Sequence, residues 1–151
     1  MSLVIPKIVS PEPQDCYDAT SDITILFNVI GGDQVSANTC VIESLTDNTE
    51  VFFNTTNQSY YTLNHIVPAN TLSNGKGYKV RIQTLNSSGV ASQFSDPIPF
   101  LCYSIPIIDI SNVINNGTWN NQNFTPQGSY SQTENVALSS YRYFLYDSNM
   151  E

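Results

Sequence analysis

The side chains best suited to chemistry in this sequence are three carboxylates, one imidazole, three thiols and a few aromatic rings. Asp15, Asp18 and Asp22 crowd into one short stretch with Cys16 and Tyr17 between them. Hard cations such as calcium take several oxygen ligands from a flexible loop, which makes these aspartates the weak candidate metal loop of the chain. Their spacing departs from an EF-hand, which needs ligands at alternate positions around a central Gly. The plainer reading is a solvated loop whose aspartates cap turns.

His65 is the single histidine and falls on an expected strand between Leu63 and Ile66. No serine or cysteine forms a recognisable nucleophile–base–acid series with it. It reads as a surface or satisfied strand residue rather than a general base. Gly-rich phosphate loops, a nucleophile elbow and zinc-helix motifs are not found in the sequence. No catalytic residue, cofactor site or enzymatic activity is expected.

Cys16, Cys40 and Cys102 are an odd number of thiols, with no CxxC and no cysteine–histidine spacing suited to zinc. Cys40 sits in an apolar stretch and reads as a small core residue. Tyr60, Tyr61 and Trp119 are the rings that could stack on sugars in a surface recognition site. Adjacent strand residues point to opposite faces, so only one of Tyr60 and Tyr61 can be exposed on a given sheet. The plainer reading places these rings in a core or an interface.

The elements that must hold these groups are strands. Short runs of period-two alternation recur roughly every ten residues between Gly, Pro, Asn, Asp and Ser, the rhythm of a β-sandwich. The expected strands are Leu3–Val9, with Pro6 confining it to a sheet edge, then Ile23–Val29, Asn38–Ser44, Glu50–Asn54, Tyr60–Ile66, Tyr78–Thr84 and Ser92–Leu101. Residues 11–21 read as a loop. In Ile23–Val29, Ile23, Ile25, Phe27 and Val29 share one face.

Composition narrows the partners. Charged residues are 12% of the chain against a typical ~25%, and the shortfall is made up by Asn, Ser, Thr and Gln. Net charge is −8, and the five cations, Lys7, Lys76, Lys79, Arg81 and Arg142, are scattered. Nucleic acid and anionic membrane surfaces both require clustered cations, so neither is an expected partner. No apolar run approaches the ~20 residues of a membrane span. Met1–Pro11 lacks the basic start and apolar core of a signal peptide. The sequons at Asn54, Asn57, Asn86, Asn116 and Asn123 are chance products of an Asn- and Thr-rich chain.

The stretch from Leu72 through Lys76-Gly-Tyr78-Lys-Val80-Arg-Ile82 to Asn86-Ser-Ser-Gly89 resembles the E–F corner, F strand and F–G hairpin of fibronectin type III domains. The resemblance implies a tyrosine corner at Tyr78, with Leu72 plugging the end of the sandwich. Phe27, Leu72, Tyr78, Val80 and Ile82 are then the structural core. Phe27 stands where the family usually carries a Trp. The resemblance extends over residues 3–101 and implies an all-β, fibronectin-type-III-like sandwich at residues 1–102.

From residue 103 the pattern restarts. Ile105–Val113, Phe124–Gln132 and Leu138–Tyr146 read as the opening strands of a second, incomplete sandwich domain at 103–151. Three strands cannot close a sandwich, so either a longer polypeptide or another chain must complete it. The acidic, Asn-, Thr- and Tyr-rich composition is similar to that of bacteriophage virion proteins, which often carry fibronectin-type-III-like or immunoglobulin-like modules. That likeness implies a non-enzymatic structural protein of the tail, baseplate or neck. Its partners are expected to be copies of itself or other virion proteins. The alternative is a binding module of a bacterial surface adhesin, or of a tail fibre recognising a glycan or host surface.

Overall fold

A computed structural model describes residues 3–58, 63–111 and 125–142. The described residues are all strand, turn and loop, with no helix. The chain divides into two compact units, Met1–Ser104 and Ile105–Glu151.

The first unit is a two-layer sandwich. One sheet has the order β1-β3-β6, made of β1 (Lys7–Ser10), β3 (Ile23–Asn28) and β6 (Asn64–Val67). The other runs β2-β8-β7-β4-β5, made of β2 (Cys16–Tyr17), β8 (Ile98–Cys102), β7 (Lys76–Leu85), β4 (Ala37–Ser44) and β5 (Glu50–Asn57). All pairings are antiparallel except β2 with β8.

Alternation places the core. Ile23, Ile25 and Phe27 point inward from β3 while Thr24, Leu26 and Asn28 point out. Tyr78, Val80, Ile82 and Thr84 do the same on β7. The inner faces meet in one cluster, with Ile8, Ile25, Phe27 and Val67 from the small sheet against Cys40, Ile42, Val80, Ile82 and Phe100 from the large one. Burial of this apolar surface drives the two sheets together.

Several expected strands have different bounds. β1 starts at Lys7 rather than Leu3, after Pro6, which lacks an amide to give to a ladder. Residues 11–21 contain β2, two residues long and without alternation to betray it. The strand expected over Ser92–Leu101 is regular only from Ile98. Before it, each contact with β7 combines a backbone and a side-chain bond: the Ser92 and Ser95 amides donate to the Thr84 and Ile82 carbonyls at 2.9 and 2.8 Å, and their hydroxyls accept from the Thr84 and Ile82 amides at 3.1 and 3.0 Å. Between β7 and Ser92, Asn86 and Gly89 close the hairpin, with the Gly89 amide donating to the Asn86 carbonyl and Gly89 at φ +76°, a conformation glycine adopts without strain.

The second unit contains β9 (Ile107–Ile110) paired antiparallel with β10 (Gly128–Ser131). These are shorter than the expected Ile105–Val113 and Phe124–Gln132. Leu138–Arg142, the described part of the expected Leu138–Tyr146 strand, is not strand. Its Tyr141 and Leu138 are exposed and pair with no ladder that would hold them extended. Gly128 faces Ile110 so closely that a Cβ there would strike the Asp109 carbonyl.

Candidate functional site

The sandwich is tied at one end by loops. The Tyr78 hydroxyl accepts from the Ser73 amide at 3.0 Å and donates to the Ser73 carbonyl at 3.2 Å, locking the loop before β7 to the strand. The Tyr78 ring lies buried against Phe100, 5.8 Å between centroids. Phe27, Leu72, Val80 and Ile82 lie in the same buried cluster.

The three aspartates do not converge. Asp15 accepts from the Glu12 amide at 2.8 Å. Asp18 accepts from the Thr20 amide and hydroxyl and from the Asn74 side chain at 2.8 Å, which joins two distant loops. Asp22 accepts from the Ala69 amide at 2.8 Å. Each carboxylate is thus engaged in fixing loop backbone. Among the described residues no group of three or more His, Cys, Asp or Glu side chains is placed to hold a metal ion.

His65 lies inside the sandwich, 1% exposed. Its Nδ1 sits 2.6 Å from Asn38 Oδ1 on the opposite sheet. Asn38 Nδ2 donates to the Asn64 carbonyl and to Gln58 Oε1, which fixes its amide and makes Oδ1 the acceptor. The proton of the neutral imidazole therefore sits on Nδ1. Phe52 meets the His65 ring edge-on at 5.8 Å. Burial penalises the imidazolium and lowers the pKa to about 4. This imidazole holds two sheets together, out of reach of a substrate. A buried histidine–asparagine bridge is not legible in sequence, because it depends on which strands oppose each other across the core.

Of the thiols, Cys40 and Cys102 are buried, and burial pushes both up to about 12; for Cys102 the nearby Cys16 and Asp18 add to this. Cys16 is exposed. Tyr60, Tyr61 and Trp119 lie outside the described residues.

The outward face of the large sheet carries a charge cluster that is neutralised within the fold. Glu43 pairs with Arg81 at 2.6 Å and with Lys79 at 3.2 Å, and the Lys79 hydrogen bond is the main reason its carboxyl lies below the usual range. The Arg81 guanidinium lies 5.3 Å from the centre of the Phe94 ring. Two of the five cations are thus spent within the fold. On the same face, Thr39 and Thr55 share a hydroxyl–hydroxyl bond at 2.8 Å.

Exposed apolar side chains are also dense in the second unit. In the second unit Ile107, Ile108 and Ile110 of β9 are 68%, 63% and 49% exposed, and Ile105, Val136, Leu138 and Tyr141 are exposed as well. Ile108, Ile110, Tyr130, Leu138 and Tyr141 line a groove of about 360 Å³ whose rim carries Arg142.

No family model matches the chain, and no curated protein matches it. Among solved structures, the chain is similar to fibronectin(III)-like modules of Clostridium thermocellum CbhA, at 20% identity over 65% of this chain and 94% of that one, TM-score 0.44. It is also similar to a structure described as a myokine, at 13% identity over 66% and 94%, TM-score 0.44. A third is that of the chicken CNTN1 FN1–FN3 domains, at 8% identity over 85% and 52%, TM-score 0.43. At these identities and TM-scores the likeness carries no argument about this chain. The described first unit is, by its own geometry, a β-sandwich with three strands facing five around a single core.

Proposed function

We infer that this chain is a non-enzymatic structural module that makes protein–protein contacts, with its second unit covered by further copies of the same chain. The observation that carries this reading is β9. Among the described residues β9 pairs only with β10; a two-stranded sheet is marginal by itself in water, and this one exposes isoleucines on both of its faces. Aliphatic side chains so displayed gain free energy when a partner covers them, at about 25 cal/mol per Å² of apolar area removed from water. The groove beside Ile108 and Ile110 offers such a partner a concave seat.

The reading extends to a setting: a bacteriophage particle, in its tail, baseplate or neck. The low content of charge and the Asn-, Ser- and Thr-rich composition support it. Antibody raised to the first unit should label tail, neck or baseplate on intact particles; labelling confined to a cell surface would support the adhesin reading instead.

Limited proteolysis of the dilute chain, followed by intact mass, tests this reading of the second unit. Cleavage should begin beyond residue 104 and leave a resistant core of the first unit. A 105–142 segment as resistant as that core, with no partner present, would contradict the reading.

A further inference from the structure

β5 is the outermost strand of the large sheet, and among the described residues it is bonded only to β4. Sheet edges are normally protected by shortness, Pro, bulges or charged side chains, lysine above all. β5 runs eight residues, EVFFNTTN, and its sole charge is Glu50 at its first position. Its one irregularity is also at that end, where Val51 is bulged between the Ile42–Phe52 and Glu43–Glu50 pairs.

The direction of its free backbone groups follows from the ladder. The Gln58 amide donates to the Ser36 carbonyl at 2.8 Å, and the register continues from Ala37–Asn57 to Ile42–Phe52. Antiparallel pairs alternate between hydrogen-bonded and open, so Phe52, Asn54 and Thr56 turn their amides and carbonyls to β4. Those of Phe53, Thr55 and Asn57 point away from the sheet.

We propose that this edge pairs antiparallel with β5 of a second copy of the chain, on a two-fold axis at Asn54, so that the two large sheets become one. In that register Phe53 lies opposite Thr55 of the second copy, and outward backbone groups meet outward backbone groups. The bulges fall at the ends of the overlap. Glu50 lies opposite Gln58, so the two Glu50 carboxylates sit roughly 27 Å apart at opposite ends of the ribbon. In a chain of net charge −8, a second copy can approach here without placing like charges face to face. The two Phe53 rings, each 60% exposed in the single chain, become diagonal neighbours within reach of one another. The same strand thus supplies both halves of a closed, isologous contact.

The pairing rests on the reading of the chain as an assembly module, but the two fail separately. Proteolysis of 105–142 bears on the second unit alone, whereas β5 is tested by cysteine cross-linking. In the full chain with Cys16→Ser, which removes the exposed thiol, Asn54→Cys places two thiols across an open pair on the axis, where Cβ atoms stand about 4.5–5.5 Å apart and a disulfide is within reach. Mild oxidation should give a covalent dimer, and Ser88→Cys in the β7–β8 hairpin should not. Adding Phe53→Lys, an exposed change that leaves the backbone intact, should abolish the dimer while the melting temperature holds. Cross-linking at Asn54→Cys no greater than at Ser88→Cys, or a dimer insensitive to Phe53→Lys, would overturn the pairing.

Discussion

His65 of the small sheet donates its Nδ1 proton to Asn38 Oδ1 of the large sheet at 2.6 Å, a polar bond buried between the two sheets beside the apolar core. Asn38 passes the connection to Gln58 and to the Asn64 carbonyl, so every polar atom on Asn38 has a partner. Such a network fixes the relative position of two sheets more sharply than aliphatic contacts, which tolerate sliding.

The bridge makes folding stability depend on acid. The imidazole has an ordinary pKa of 6.5 in the open chain and about 4 in the fold. Its neutral form is favoured by folding, so its contribution is complete above pH 6.5 and is lost as pH falls from there through 4. The loss is on the order of 3 kcal/mol, because each tenfold weakening of proton binding is worth about 1.36 kcal/mol. Urea unfolding at pH 7.5 and pH 4 measures it. His65→Gln should be less stable than the parent at pH 7.5 and should have a smaller drop between the two pH values.

Tyr78 separates packing from hydrogen bonding. Tyr78→Phe keeps the ring against Phe100 and loses the two bonds to Ser73, which should cost about 1–2 kcal/mol. Tyr78→Ala also empties the core beside Phe100 and should cost about 3–5 kcal/mol. Thermal or urea melts of the two variants check the order, and an Ala variant as stable as the Phe variant would contradict the packing.

The thiols should divide one against two. Cys16 is exposed, whereas Cys40 and Cys102 are buried and pushed up to about 12. A thiol-specific reagent at pH 8 should titrate one group in the native chain and all three after denaturation.

How much of this could be read from sequence depended on range. Ile23, Ile25 and Phe27 declare their strand because burial on one face imposes a period of two on neighbours. The segment before β8 does not, because Ser92 and Ser95 satisfy amides of β7 with hydroxyls, and local alternation carries no trace of that exchange. β2 is two residues held by Leu101 and Cys102, more than eighty positions away in the chain. The three aspartates suggested a common ligand because they are close in sequence, but their partners, Glu12, Asn74 and Ala69, pull them to separate turns. His65 and Asn38 are joined only once the sheets are stacked, so their bridge had no local signature.

Light scattering across a concentration series, on the parent chain and on Ile108→Lys/Ile110→Lys, tests most directly whether the second unit is an assembly surface. The parent should reach a discrete mass that is a multiple of 16.7 kDa. The double variant, carrying two charges where the aliphatic face is covered, should fall to a lower multiple with its first unit still folded. A parent that stays at 16.7 kDa at every concentration, or a variant that matches the parent's oligomer, would contradict the account.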